Sequence, residues 1–469
     1  MNKLKLHKKR LFPSDPIQRS IANDLFASVE DLPIISPHGH TDPRWFAENE
    51  HFINPTELLL APDHYLFRML YSQGISLDDL GVASLSGPSK ADPRDAWRLF
   101  SKHYHLFRGT PSRLWLDHTF ATVFDLDVRL CEETADHYFD VISEALSREK
   151  FRPRALFDKF NIELLATTEG ATDKLAHHNQ IVQSEWGGRV ISTYRPDAVV
   201  DPDHEGFQQE LDLFGEITGE NTRNWNGYLN AHRKRRQDFI AIGTTSSDHG
   251  HLRATTANLS TVEAQELFEK VIRGEISASE SDVFRGQMLT EMAGMSLDDG
   301  LVMQIHPGAI RNHNSHIFNT YGRDKGADLP SAIDYVDALK PLLDKFGDDN
   351  RLSIILFTLD ETTYSRELAP LAGHYPALKL GPAWWFHDSP EGMRRFREQT
   401  TETAGFYNTV GFNDDTRAFL SIPARHDVAR RVDCAFLAKL VAEHRLEEDE
   451  AFEIAKGLAY DFAKKAYKV

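Results

Sequence analysis

Two histidines and a distant aspartate are the residues in this chain best suited to hold a metal ion. His38 and His40 stand at the end of the apolar run 32–38, and side chains two positions apart on a strand point the same way. Asp415 closes a second run, 409–415, near the other end of the chain. Imidazole suits Zn²⁺, Fe²⁺ and Ni²⁺, and a carboxylate suits these and Mn²⁺. If the fold joins the two ends, the result is an open mononuclear metal site; the alternative is a loop with solvated or core histidines.

Eight short apolar runs are the elements that must position these residues. Several are rich in Ile, Val and Thr, as buried strands are, and helical patterns separate most of them. This alternation predicts an α/β fold of the (β/α)₈ barrel type. The strand runs are 32–38, 162–169, 190–196, 239–246, 301–307, 352–359, 378–386 and 409–415, and the clearest helical patterns are 136–151, 262–273, 329–346 and 390–400.

The chain is longer than a barrel requires, so insertions are expected. A barrel needs about 250 residues, and this chain has 469. We predict an N-terminal segment with the first strand over 1–44, a mainly helical insertion at the barrel mouth over 45–158, the remaining barrel over 159–426, and closing helices over 427–469.

Reactive residues follow six of the eight runs. Barrel enzymes place their chemistry at the C-terminal ends of the strands, and a purely structural barrel gives no reason for such clustering. The residues are His38 and His40, Tyr194 to Asp197, Asp248 and His249, Gln304 and His306, Trp384 to Asp388, and Asp414 to Arg417.

Composition excludes several classes of protein. The net charge of −18 argues against a nucleic-acid or anionic-membrane partner. The two cysteines, Cys131 and Cys434, provide no disulfide framework or cysteine metal cage, which fits a reducing cytoplasm. No apolar run approaches the roughly 20 residues of a membrane span, and the basic N-terminus lacks the apolar stretch of a secretory signal.

The ordered motifs resemble the uronate isomerase (glucuronate isomerase) family, a divergent branch of the amidohydrolase superfamily. The resemblance implies a distorted (β/α)₈ barrel that interconverts D-glucuronate with D-fructuronate, and D-galacturonate with D-tagaturonate, through a cis-enediol. It also implies a homo-oligomer. The matching segments are PHGHTDP at 37–43, PDHY at 62–65, RPD at 195–197, SDHG at 247–250, MQIHPGA at 303–309, AWWF at 383–386 and VGxxxDxRxF at 410–419.

One divalent ion is expected at the barrel mouth. Binuclear members of the superfamily use a bridging lysine carbamate on the fourth strand, and the run 239–247 contains no lysine. Zn²⁺ is the expected ion, with Mn²⁺, Fe²⁺ and Ni²⁺ as alternatives.

The resemblance also suggests roles in proton transfer. Tyr65 is the leading candidate for the base that moves a proton between C2 and C1, made more acidic by a cation such as Arg417, and His64 would act beside it on the substrate. Without the resemblance, His64 is a surface residue and Tyr65 a packed one. Asp415 is a second candidate base, which would open the sugar ring. His306 would bond a substrate hydroxyl; the alternative is a satisfied core histidine.

Arg195 and Arg417 are candidate anchors for the substrate carboxylate, because the guanidinium fork matches a carboxylate bidentately. Asp197 and Asp414 are their expected partners, and the arginines could equally serve only in such pairs. Because consecutive strand residues face opposite ways, only one tryptophan is expected at the mouth, and the family motif points to Trp384. No step is assigned to four further residues, which we place around the site: Asp248, His249, Gln304 and Trp385.

Two rival functions remain at this point. A lactonase or deaminase on the same scaffold would use the metal to activate water. A catalytically inactive barrel could act as a binding protein.

Overall fold

A curled sheet of seven parallel strands forms the centre of the molecule, whose computed structural model describes residues 2–469. Neighbouring strands pair in chain order, and a two-stranded antiparallel pair, β6 with β7, lies outside the sheet. The strands are β1 (Ile34–Ser36), β2 (Ile162–Gly170), β3 (Arg189–Arg195), β4 (Ser246–His249), β5 (Val302–Ile305), β6 (Ala309–Ile310), β7 (Leu329–Pro330), β8 (Ile354–Leu356) and β9 (Leu378–Leu380).

The segment 409–416 closes the barrel without forming a regular strand. On one side, the Val410 N–H donates to the Leu380 carbonyl at 3.0 Å. On the other side, the His40 N–H donates to the Thr416 carbonyl at 3.1 Å. The segment therefore joins β9 to the chain that follows β1, and the predicted distorted (β/α)₈ barrel is confirmed.

Positive backbone angles explain why the eighth run is irregular. Gly411 has φ +77° and Asp415 has φ +33°, and neither angle belongs to extended backbone. The prediction of a regular strand over 409–415 is therefore wrong in detail, although the segment occupies the expected position in the barrel.

Two other predicted strands differ in their bounds. The run 239–246 was expected to be a strand, but its first residues end a helix at Ala241 and the strand begins at Ser246. A short apolar run cannot be told from a buried helix segment by periodicity alone. In the run 378–386 only Leu378–Leu380 is strand, and Trp385–His387 forms a 3₁₀ turn.

Helices surround the sheet and fill the insertion between β1 and β2. The predicted helical patterns at 262–273 and 390–400 are found within the helices Thr261–Arg273 and Pro390–Ala404. The pattern at 329–346 becomes β7 followed by the helix Val336–Phe346, and that at 136–151 becomes the helix Ala135–Leu146 followed by a 3₁₀ turn. The helices are α1 (Pro16–Val29), α2 (Pro43–Glu48), α3 (His64–Tyr71), α4 (Pro93–His103), α5 (Pro111–Thr122), α6 (Ala135–Leu146), α7 (Pro153–Lys159), α8 (Ala176–Gln183), α9 (Asp197–Val200), α10 (Phe207–Thr218), α11 (Trp225–Ala241), α12 (Thr261–Arg273), α13 (Ala278–Asp299), α14 (Ser315–Tyr321), α15 (Val336–Phe346), α16 (Ala369–Ala372), α17 (Pro390–Ala404), α18 (Ile422–Ala442), α19 (Glu448–Lys456) and α20 (Phe462–Tyr467).

The insertion has an aromatic core of its own that continues into the barrel wall. Trp97, Phe100 and Tyr138 are fully buried in it, and they share one apolar cluster with Ile162 and Leu165 of β2. Burial of such large side chains fixes the insertion against the barrel. The insertion therefore holds its residues 62–65 at the mouth, while the limits 45 and 158 stay a prediction.

The C-terminal helices close the molecule from outside the sheet. Most of α18 is buried, and its Leu437 and Leu440 pack with Leu25 of α1. Within residues 2–469, none of the helices combines the length and the apolar character needed to cross a bilayer.

Candidate active site

His38, His40 and Asp415 converge at the barrel mouth. Asp415 Oδ1 lies 3.2 Å from His40 Nε2 and 3.8 Å from His38 Nε2. Donor atoms of His38, His306 and Asp415 all lie within 4.8 Å of one another. The structure thus brings together the three residues predicted as metal ligands and adds His306 to them.

Burial and mutual attraction keep this group in the protonation states that a metal requires. Burial lowers the pKa of His38 to about 4, although Asp415 and Asp248 oppose the shift. Burial alone would raise the pKa of Asp415, but His38 and the hydrogen bond from His40 outweigh it and lower that pKa below its usual range. At neutral pH His38 therefore offers a neutral imidazole and Asp415 an ionised carboxylate, which are the forms that bind a divalent cation.

A buried polar chain lies behind His38. The Gln304 side-chain amide lies 3.3 Å from His38 Nδ1. The Tyr467 hydroxyl donates to Gln304 Oε1 at 2.9 Å and accepts from the Asn413 amide at 3.2 Å. Residues behind a metal-binding histidine commonly set the tautomer and orientation of its ring. Gln304, to which the sequence assigns no step, therefore contacts a candidate metal ligand. Tyr467 lies two residues from the end of the chain and follows no predicted strand, so the sequence did not indicate it as part of the site.

Asp248 connects the histidines to Arg195. It is fully buried, and its Oδ1 lies 2.6 Å from His306 Nδ1. Its Oδ2 lies 3.1 Å from Arg195 Nη1, while Arg195 Nε donates to Asp197 Oδ2 at 2.8 Å. Burial alone would raise the pKa of Asp248, but Arg195 and His306 hold it well below its usual range. The expected Arg195–Asp197 pair is present, and Asp248 faces the mouth.

His306 is more than a satisfied core histidine. Its ring stacks on that of His38 at a centroid distance of 4.8 Å and on Phe357 at 3.8 Å. Nδ1 is held by Asp248, whereas Nε2 has no hydrogen-bond partner in residues 2–469. A buried nitrogen of this kind is costly unless something binds it. His306 therefore has one ring nitrogen available for substrate or an ion.

His64 and Tyr65 enter the mouth from the start of α3. The Asp63 carboxylate caps this helix by accepting from the Tyr65 N–H at 2.8 Å, as an N-cap aspartate does. The two rings stack at 4.7 Å, and both residues line the mouth cavity. Burial, followed by repulsion from Arg417, lowers the pKa of His64 to about 3.

The structure corrects the expectation that Arg417 makes Tyr65 more acidic. Burial raises the pKa of Tyr65, and the cation that opposes this shift most strongly is Arg425. The Arg425 guanidinium carbon lies 5.5 Å from the centre of the Tyr65 ring. The family motif contains Arg417 and not Arg425, so this neighbour could not be read from the motif.

The predicted pairing of Arg417 with Asp414 is also wrong. Arg417 Nη2 lies 3.1 Å from Asp324, and Asp414 accepts from Ser36 and contacts His426 Nε2 at 3.0 Å. Asp415 and Asp414 point to different neighbours because the chain turns at Asp415. Arg417 therefore has a different partner, supplied by the loop after β5.

Both Trp384 and Trp385 line the cavity, so the expectation of a single tryptophan at the mouth is wrong. The strand β9 ends at Leu380, and Trp385 has φ +51°. Strand alternation does not apply there. Trp384 lies edge-on to His306, with ring centres 4.7 Å apart, and the Arg311 guanidinium lies 5.0 Å from the Trp385 ring centre.

Sequence reasoning missed the contribution of the segment 306–330, which contains β6, α14 and β7. Arg311, Asp324 and Asp328 from this segment line the same cavity as Arg195 and Arg417. Arg311 contacts Asp328 at 3.1 Å and Asp324 at 3.8 Å. The charged residues within 323–328 were the available signal, but they do not directly follow an apolar run, which is where barrel chemistry is expected.

His249 points away from the mouth. It follows Asp248 on β4, so its side chain faces the opposite side of the sheet. Its Nε2 lies 3.2 Å from the Ser247 hydroxyl, and its other neighbours are Asp197 and His251. His249 belongs to a separate cluster and not to the cavity.

A parallel barrel that carries imidazoles, ionised carboxylates and arginines at the C-terminal ends of its strands belongs to the class of barrel enzymes with a candidate metal centre. The family model for glucuronate isomerase matches residues 15–467, and the chain belongs to that family. A uronate isomerase from Phenylobacterium zucineum is 65% identical over 466 residues, which cover 99% of this chain and 97% of that protein.

Two solved structures extend the comparison. The crystal structure of glucuronate isomerase from Caulobacter crescentus is 65% identical, with a TM-score of 0.99 over 100% of this chain and 98% of that chain. The uronate isomerase structure from Thermotoga maritima is 27% identical, with a TM-score of 0.92 over 99% of each chain. The family and function predicted from the motifs are confirmed, and the hydrolase alternative is not favoured.

Proposed function

We propose that this chain interconverts D-glucuronate with D-fructuronate, and D-galacturonate with D-tagaturonate, by proton transfer through a cis-enediol. One observation carries the proposal: Tyr65, Asp415 and Arg417 line a single cavity together with His38 and His40. That arrangement combines a proton carrier, an ionised carboxylate and an anion anchor. Membership of the glucuronate isomerase family supports the choice of substrate.

The donor set fits a divalent metal ion. His38, His40 and Asp415 would hold one ion, and two imidazoles with one carboxylate leave positions open for substrate oxygens. The unpartnered Nε2 of His306 beside this group supports the assignment. When bound, the ion would polarise substrate oxygens and fix their geometry. Zn²⁺ is the expected ion, with Mn²⁺, Fe²⁺ and Ni²⁺ as alternatives.

Arg417 is the better placed anchor for the substrate carboxylate. Arg195 already contacts Asp197 and Asp248, and its side chain is 23% exposed. Arg417 is 38% exposed and has Asp324 as its ion-pair partner. The substrate carboxylate would bind Arg417 bidentately, while Arg195 holds Asp248 and lines the same cavity.

Asp415 and Tyr65 carry out the proton transfers. Asp415, ionised and at the centre of the group, takes the hydroxyl proton that opens the sugar ring. Tyr65, acting as the phenolate that the Arg425 guanidinium favours, takes the proton from C2 and returns it at C1, while a proton passes from the C2 hydroxyl to the C1 oxygen; no atoms or electrons are gained or lost. His64 and His306 offer ring nitrogens to substrate hydroxyls, and Trp384 gives an apolar face to the sugar.

Solvent exchange tests the reaction. During turnover of D-glucuronate or D-galacturonate in D₂O, an isomerase that works through an enediol incorporates deuterium at the transferred position. Tyr65→Phe is expected to lower kcat by about 10²- to 10⁴-fold with a small change in KM, the usual contribution of one acid–base group. Tyr71→Phe, at the end of the same helix, is the control and should keep the native rate.

Two outcomes would contradict the proposal. If both uronates stay unconverted and unexchanged, the isomerase function is lost. If Tyr65→Phe retains the native kcat, the proton carrier is a different residue.

The cellular location and the oligomeric state of the enzyme belong to the same proposal. We expect a cytoplasmic homo-oligomer that acts on small uronates. Free Cys131 and Cys434 suit a reducing compartment, and the family resemblance supports the assembly. Light scattering of the purified protein measures its mass directly, and a monomer would contradict the expected oligomer.

A further inference from the structure

A second group of potential metal ligands lies outside the mouth. Donor atoms of Asp197, His249 and His251 all lie within 4.8 Å of one another. Asp197 begins α9 after β3, and the two histidines flank Gly250 after β4. None of the three lines the mouth cavity. The group is therefore separate from the candidate active site.

The two histidines have buried nitrogens with no protein partner. His249 is 0% exposed and His251 is 5% exposed. Nδ1 of His249 and both ring nitrogens of His251 have no hydrogen-bond partner in residues 2–469. An unpaired buried polar group is destabilising. An ion bound by these nitrogens would remove that cost.

The spacing suits a shared ion better than a direct hydrogen bond. His251 Nε2 lies 3.8 Å from Asp197 Oδ1, which exceeds hydrogen-bonding distance. Zinc–ligand bonds of about 2.0–2.2 Å at tetrahedral angles place neighbouring donor atoms roughly 3.3–3.5 Å apart. The distance between His251 Nε2 and Asp197 Oδ1 equals the 3.8 Å between His38 Nε2 and Asp415 Oδ1 at the mouth.

Burial, more than the surrounding charges, keeps the two histidines in the neutral form that binds a metal. Burial lowers the pKa of His249 to about 3 and also lowers that of His251. Asp197 accepts the Gly250 N–H on both carboxylate oxygens, at 3.2 Å on Oδ1 and 3.1 Å on Oδ2, and accepts from Arg195 Nε at 2.8 Å on Oδ2. Arg195 and Arg285 add positive charge nearby, and Asp201 opposes them.

We propose that Asp197, His249 and His251 form a second site for a divalent transition metal of the Zn²⁺ type. Imidazole donors favour such an ion over Mg²⁺ or Ca²⁺, which prefer oxygen ligands. The site needs no carbamylated lysine, so it does not conflict with one ion at the mouth. The ion would fix Asp197 and, through it, Arg195. This inference does not depend on the proposed function.

Metal content tests the site. Protein purified with zinc and dialysed against metal-free buffer is expected to hold two equivalents per chain by mass spectrometry. His251→Asn and His38→Asn should each hold one, and the double variant none. His178→Gln is the matched control, because His178 is 1% exposed, bonds Thr167 and belongs to neither cluster, so it should retain two equivalents.

Two results would overturn the second site. One is a single equivalent in the unmodified protein that His38→Asn removes; the other is an unchanged content in His251→Asn. If that variant does not fold, anomalous diffraction at the zinc edge on the unmodified protein decides the matter. A peak between Asp197, His249 and His251 supports the proposal, and its absence from zinc-saturated crystals overturns it.

Discussion

Arg195 and Arg417 show how the surroundings of a residue decide its use. Arg195 ends β3 and Arg417 follows the segment that closes the barrel. Both could anchor a carboxylate, so the sequence does not rank them. In the structure, Arg195 contacts two aspartates, whereas Arg417 contacts Asp324 and is more exposed. The difference lies in partners brought from distant parts of the chain.

At the scale of single residues, Glu169 gives a prediction of how the unfolding free energy depends on pH. Burial raises its pKa to about 7 from an ordinary 4.5, although Ser192 and Thr167 donate hydrogen bonds to it. Because the pKa is higher in the folded protein than in the unfolded chain, the folded state binds the proton more tightly. The resulting stabilisation is complete below about pH 4.5 and is lost as the pH rises through about 7. Glu169→Gln should therefore match the native protein near pH 5 and exceed its unfolding free energy at pH 8 by about 1–3 kcal/mol.

Urea unfolding of both proteins at the two pH values measures this difference. Glu185→Gln, at an exposed position, is the control. An equal difference between native protein and Glu169→Gln at pH 5 and pH 8 would contradict the prediction.

At the scale of elements, the connection between α14 and β7 supplies charges that local patterns did not predict. Its residue Asp324 has φ +59° and lies 3.1 Å from Arg417. Under the proposed function, the Asp324 carboxylate competes with the substrate carboxylate for that guanidinium. Asp324→Asn is expected to lower KM for D-glucuronate several-fold at low ionic strength, with a smaller change in kcat.

Steady-state kinetics at two salt concentrations tests this competition. The effect should shrink at high salt, because exposed charges are screened. Asp298→Asn, an exposed change elsewhere, should leave KM unaltered. A higher KM in Asp324→Asn would show instead that Asp324 holds Arg417 ready for substrate.

The terminal helix α20 gives a second prediction for an element. The Tyr467 hydroxyl holds Gln304, which contacts His38. Loss of such an outer partner typically weakens metal binding by about 10- to 100-fold. Tyr467→Phe is therefore expected to weaken zinc binding at the mouth by that factor, measured by competition with a chelator.

Tyr460→Phe is the control for this change, because Tyr460 lies in the same terminal segment and bonds Glu163. Native zinc affinity in Tyr467→Phe would show that the hydroxyl does not support His38.

At the scale of the whole molecule, Arg425 joins the insertion to the barrel. It is 1% exposed, and its guanidinium carbon lies 3.6 Å from the centre of the Trp115 ring in α5. The same group donates to the buried carboxylate of Asp388, which follows β9. One cation thus packs against the insertion and pairs with the barrel.

Removal of this cation should destabilise the fold. Breaking a buried ion pair by removing one partner costs about 3–5 kcal/mol, because the other charge stays buried. Arg425→Met is expected to lower the unfolding free energy by that amount in urea. The double variant Arg425→Met, Asp388→Leu should recover much of the loss. A loss below about 1 kcal/mol in the single variant would contradict this role.

Local sequence patterns were sufficient for the class of fold and for most of the reactive residues. Alternation of apolar runs with helical patterns indicates a barrel because buried parallel strands need continuous apolar segments. His38, Arg195, Asp248 and His306 follow from the rule that barrel chemistry lies at strand ends. The order of the motifs was specific enough to identify the family.

Tertiary structure alone decided how these residues are paired. Asp324 binds Arg417, Arg425 neighbours Tyr65, and Tyr467 reaches Gln304, although each pair is far apart in the chain. Such contacts depend on how loops and terminal helices pack, and periodicity describes only neighbours along one element. The sequence therefore determined which side chains stand at the C-terminal ends of the barrel strands. Long-range packing determined which of them pair with other protein groups and which remain free to bind substrate or an ion.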